Sequence, residues 1–284
     1  MFKKKEKTYE PQYYSSATNM PTYNYHVYNM PLLEKILTFA VAFAAGAAVG
    51  FLFYGGIGKD EFGEPTNVTR VLNILIPSIV GVIAGLLFVP SRTKSIVQKR
   101  QKELGHQFRD MLDALNVSIG SGKNVTDSFF AVYEDLKIQY ESDAFILKEL
   151  EVILSGIQNN IAIEDLLADF GKRSNVEDIK SFADVFKISY RKGGNIKDII
   201  RNTHSIISDK MEISEEIETL VSSNRLEQKI MIVLPIGLIA VIKMMSPEFA
   251  ANFVTPTGLI STTISIIIYV IAYFIGKSVL DIKI

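Results

Sequence analysis

The chain has 284 residues, of which 48% are hydrophobic and 21% charged, with a formal net charge of −1. It has no cysteine and only three histidines, His26, His106 and His204. Disulfides, zinc knuckles, iron–sulfur clusters and thiol nucleophiles are thereby excluded, and the balanced charge gives no bulk attraction to nucleic acid. A mean hydropathy of +0.21 at ordinary charge content means that the apolar residues are unevenly spread.

In chain order, residues 8–28 hold six of the twelve tyrosines amid Pro, Asn, Ser and Thr. So few aliphatic side chains cannot build a core, so residues 1–30 read as a disordered Tyr-rich tail, with a docking strip for a partner as the alternative. Four apolar runs follow, at Leu32–Ile57, Val71–Val89, Ile230–Met245 and Gly258–Gly276. About 20 residues at 1.5 Å each match a hydrocarbon core of about 30 Å, so each run reads as a transmembrane helix. The third is the shortest, and Lys243 near its end is expected to snorkel to the headgroups. Small residues at four-spacing, Ala42, Gly46 and Gly50 in the first run and Gly81 and Gly85 in the second, suit close helix packing.

Positive charge orients these runs. Lys3, Lys4, Lys5, Lys7 and Lys35 stand before or at the start of the first, and Arg92, Lys94, Lys99, Arg100 and Lys102 follow the second. Arg225 and Lys229 precede the third, and Lys277 and Lys283 lie at or after the end of the fourth. Loop 58–70 holds only Lys59 and Arg70, and 246–257 holds neither Lys nor Arg. The positive-inside rule therefore predicts a multi-pass membrane protein with both termini and the 91–229 region in the cytoplasm.

Residues 91–234 contain no proline, and apolar residues recur there at helical spacing: Phe108, Met111, Leu112 and Leu115, then Ile179, Phe182, Phe186 and Tyr190. Gly120 with Gly122, Gly156, Gly171 and Gly193–Gly194 read as helix ends. Asn124 with Asp127, Ser174 with Glu177, and Asn195 with Asp198 read as helix starts. The expected fold is all-α. Residues 31–90 carry a transmembrane pair (32–57 and 71–89), 91–229 a cytoplasmic bundle of about six helices, and 230–284 a second pair (230–245 and 258–276) with a short tail.

No catalytic, cofactor or metal constellation stands out. Gly120-Ser121-Gly122-Lys123 lacks the first glycine and the final Ser/Thr of a phosphate loop, where Val117 and Asn124 stand instead. Glu212, Glu215, Glu216 and Glu218 read as a solvated helix face. No carboxylate lies inside any span, so an ion or proton relay has nothing to run on.

From Leu104 onward the chain resembles the type II secretion F domain. The resemblance rests on "LGHQFRDMLDALNVSIGSG", on the Gly-Gly-Asn block of "ISYRKGGNIKDII", and on "SPEFAANFVTPTG" between the last two runs. Within that family it is most similar to TadB-like proteins of Tad/Flp pilus assembly, over roughly residues 95–284. "GIQNNIAIEDLL" departs from the family's glycine-rich turn. The resemblance implies a non-enzymatic inner-membrane platform, without cofactor, that couples a hexameric secretion ATPase to extraction of pilin subunits. A second F-domain protein is an implied partner, in a homo- or hetero-oligomer. Arg191, Lys192, Gly193, Gly194 and Asn195 form the candidate ATPase-facing corner. A platform of another secretion or filament system, a membrane scaffold or signalling protein, and a transporter are the alternatives.

Overall fold

The structure is a computed structural model that describes residues 11–16, 18–59 and 64–280. Lys3, Lys4, Lys5, Lys7 and Lys283, with the outermost parts of both expected tails, lie outside the described residues. Two short strands, β1 (Tyr13–Ser15) and β2 (Pro21–Tyr23), pair antiparallel with Tyr13 opposite Tyr23. Apart from one isolated bridge between Lys59 and Pro65, the other regular elements among the described residues are helices: α1 (Leu32–Tyr54), α2 (Asn67–Gly120), α3 (Val125–Gln139), α4 (Phe145–Gln158), α5 (Ile163–Ser174), α6 (Glu177–Arg191), α7 (Ile196–Met245), α8 (Pro247–Asn252) and α9 (Pro256–Leu280). Among the described residues, α1, α2, α7 and α9 are long and apolar enough to cross a membrane.

The second and third apolar runs are not separate helices. α2 continues through Pro77 and Pro90 to Gly120, and α7 runs through Pro235. A proline forfeits one backbone bond but need not end a helix whose turns continue on both sides. The chain divides into two compact units, one of Thr93–Glu212 with the segment up to Asn29, the other of Met30–Arg92 with the chain from Ile213 onward.

In the first unit, six helical segments share one core. Phe108, Met111, Leu112 and Leu115 of α2 are buried, together with Phe129 of α3, Phe170 of α5, Phe182 and Phe186 of α6 and Ile200 of α7. The ring of Phe108 meets Phe182 edge-on at 5.5 Å. Asn124 caps α3 by accepting from the Asp127 amide at 2.8 Å. α4 has no side-chain cap of its own, and Gln107 of α2 supplies one, its Oε1 accepting from the buried Ile146 amide at 3.0 Å.

Two expectations about helix ends are corrected here. Gly171 does not end a helix; it lies inside α5, where a Cβ would come within 3.1 Å of both Ala183 Cβ and Lys180 Cα, so its role is close approach to α6. Ser174 does not cap α6. Its hydroxyl donates back to the Gly171 carbonyl at 2.9 Å, and Asn175, at φ 52°, turns the corner instead.

In the second unit, α1 and α2 meet along small residues. A Cβ on Gly46 would lie 2.7 Å from Ala84 Cβ, one on Gly50 3.1 Å from Val80 Cβ, and one on Gly81 2.8 Å from the Phe43 carbonyl. Gly85 faces the Phe39 ring, and Ala42 is buried. The Lys243 ammonium donates to the Leu52 carbonyl of α1 at 2.6 Å and lies 4.2 Å from the centre of the Phe253 ring. Leu52 is in the last turn of α1, where carbonyls lack helical partners, and a cation there answers both that vacancy and the negative helix end.

Candidate functional site

The corner between α6 and α7 is built by backbone geometry. α6 ends at Arg191, Lys192 follows as its cap, and Gly193 takes φ +70° with no neighbour within 4 Å of a Cβ built on it. A side chain is unfavourable there by about 1 kcal/mol. The Gly194 amide bonds to the Ser189 carbonyl at 2.8 Å, closing the helix end, and the Asn195 side chain accepts from the Asp198 amide at 3.4 Å at the start of α7. Residues 191–195 are all exposed.

Arg191 has a second task at that corner. Its Nε donates to Glu164 Oε1 at 3.1 Å and its Nη2 to Asp165 Oδ1 at 3.3 Å, both at the start of α5. Lys187 adds a bond to Asp165 at 2.9 Å. Hydrogen bonding from Lys187 therefore holds the Asp165 carboxyl below its ordinary value, with Arg191 adding to the effect. The Arg191 charge thus joins α6 to α5, and Lys192 is the other exposed cation of the corner.

The most deeply buried ionic group of the unit lies elsewhere. Glu149 of α4 is 1% exposed and Arg173 of α5 is 5% exposed. The guanidinium grips the carboxylate with two bonds, Nη1 to Oε1 at 3.0 Å and Nη2 to Oε2 at 2.7 Å. Its Nε donates to Asp169 at 2.8 Å. Burial pushes the Glu149 carboxyl up, against the pull of Arg173 and of the Tyr25 hydroxyl. Burial also works against the charge on Arg173, but its two carboxylate partners outweigh it and hold the guanidinium above its ordinary value.

The segment leading to α1 closes over this pair, which corrects the reading of its described part as disordered. Tyr25, 3% exposed, donates its hydroxyl to Glu149 Oε1 at 3.0 Å, and its ring packs edge-on against Phe145 at 5.7 Å. The Tyr25 amide bonds to the Arg173 carbonyl at 3.1 Å, and the His26 ring to the Lys172 carbonyl at 3.1 Å. These two carbonyls belong to the last turn of α5, so the segment caps that helix from outside. The signal available in the sequence was indirect: Glu149 falls on the apolar stripe of Ile146, Leu150 and Ile153, and Arg173 on that of Leu166 and Phe170. A charge on each of two core-facing stripes calls for a mate.

Beside the segment lies a cleft of about 600 Å³ lined by Tyr23, Lys99, His106, Tyr140, Asp143 and Lys148 among others. Its cations and acids are intermixed, so it selects for no single sign of charge. His204 lies 3.6 Å from Asp113, and among the described residues no three His, Asp or Glu side chains gather as a metal site. Comparison of the chain with protein-family models, with curated proteins and with solved structures finds no match.

Proposed function

We propose that the chain is a non-enzymatic inner-membrane platform for a pilus or secretion machine, and that it couples a hexameric cytoplasmic ATPase to extraction of pilin-like subunits from the bilayer. The observation that carries this reading is that α2 and α7 each run unbroken from an apolar span into the helical unit of Thr93–Glu212. The resemblance of Leu104 onward to the F domain supports the same reading. So does the lysine and arginine bias, which favours a cytoplasmic helical unit. The exposed corner Lys192–Asn195 is our candidate contact for the ATPase.

Two measurements test the reading. Cysteines introduced into the cysteine-free chain at Thr66 and Thr255 should label from outside an intact cell, while one at Lys123 should not. The chain should co-purify with a hexameric secretion ATPase of the same cell, and Lys192→Glu should weaken that association at least tenfold with the helical signal unchanged. Arg191→Glu is unsuitable for this purpose, because it sets an acid against Glu164 and Asp165. Outside labelling at Lys123, or wild-type protein that captures no ATPase, sinks the proposal.

A further inference from the structure

We propose that residues 11–16 and 18–28 belong to a releasable strap, which folds onto α2, α4 and α5 and lets go without unfolding them. The docked state is specific. Besides the Tyr25 and His26 bonds, Gln101 of α2 donates to the Tyr25 carbonyl at 2.8 Å, and Arg173 donates to the Tyr23 carbonyl at 3.2 Å. Arg100 of α2 sits 4.4 Å over the Tyr28 ring, and Lys148 of α4 5.4 Å from the Tyr23 ring. The strap therefore reads three helices at once, through side chains and through backbone.

Release is feasible because the core beneath does not depend on the strap for charge balance. With Tyr25 gone, Glu149 keeps both bonds from Arg173, and Arg173 keeps Asp169. The carbonyls of Lys172 and Arg173 would then turn to water, as ordinary helix ends do. The strap itself would not survive alone. Its ladder has three residue pairs, and an isolated two-stranded hairpin is marginal in water. Docking and ordering are thus one event, the order–disorder kind of switch.

The consequence is a change in tether length. Only Asn29, Met30 and Pro31 separate Tyr28 from the first residue of α1. Docked, the strap is joined to the start of α1 by those three residues alone, four Cα steps that reach at most about 14 Å. Released, the chain path from α1 to α4 runs through residues 55–66, α2, α3 and the turns that flank α3. The strap so adds or removes a constraint on the first apolar span, and this inference does not require the platform reading.

Native-state hydrogen exchange on the full chain in lipid nanodiscs tests it. Peptides covering 21–28 should be protected, yet exchange at least a hundredfold faster than those covering 146–153. Tyr25→Phe should speed the first set about tenfold and leave the second unchanged. Gln101→Ala, which leaves the strap's own sequence intact, should do the same. Equal rates in the two sets, a joint rise in either variant, or no protection at all over 21–28 would each overturn the proposal.

Discussion

The Tyr25 hydroxyl donates to Glu149 Oε1 at 3.0 Å across 124 positions of sequence, and the same oxygen also accepts from Arg173. One carboxylate therefore serves two purposes, pairing α4 with α5 and receiving the strap. Three hydrogen bonds reach its two oxygens, two on Oε1 and one on Oε2, and such partners offset the cost of burying an acid at 1% exposure.

Breaking this pair from one side should be costly. Glu149→Leu leaves Arg173 buried with only Asp169 as a charged partner, and Arg173→Met leaves Glu149 with no cation. Each should lower stability by about 3–5 kcal/mol, whereas Glu149→Leu combined with Arg173→Met should recover most of the loss. Denaturant titration of the purified chain, followed by far-UV circular dichroism, reads the difference. Single variants as stable as the wild type would mean that the pair does not hold α4 to α5.

The glycine seam gives opposite signs for one chemical change. Gly81→Ala places a methyl 2.8 Å from the Phe43 carbonyl, and Gly46→Ala places one 2.7 Å from Ala84 Cβ. Backbone must shift in the first case, and a loss of about 1–3 kcal/mol is expected. Gly237→Ala, with nothing within 4 Å, should instead gain up to about 1 kcal/mol from helix propensity. Thermal unfolding in a single detergent compares the three. A common sign for all three would remove the seam as a packing element.

Tyr140 should show its contribution in alkali. Burial, then its hydrogen bond to Asp110 at 2.5 Å and the charge of that acid, push the phenol up to about 12. A raised value in the folded state stabilises while the phenol is neutral in both states, below its ordinary value of about 10. That contribution then falls as pH climbs through 12. The stability gap between wild type and Tyr140→Phe, about 1 kcal/mol for such a bond, should thus be constant from pH 7 to about 9.5 and shrink towards pH 12. A gap that grows with pH would refute the assignment.

The helical class and the four apolar spans were legible in the sequence, because both follow from local pattern. A run of Leu, Ile, Val and Ala about 20 residues long carries its own hydrophobic transfer energy wherever it sits. The recurrence of Phe108, Met111, Leu112 and Leu115 marks a buried stripe without knowledge of what buries it. Asn124 and Asn195 announce helix starts because a cap acts over three residues. The role of Gly171, the cap that Gln107 lends to α4 and the path of Arg191 to Glu164 were decided only when α2, α4, α5 and α6 came together. The strap is the sharpest case. Its tyrosines cannot make a core among themselves, so composition alone reads as disorder. Tyr25 becomes ordered only because the carboxylate of Glu149, the last-turn carbonyls of α5 and the side chain of Gln101 meet at one place, from three helices far apart in sequence.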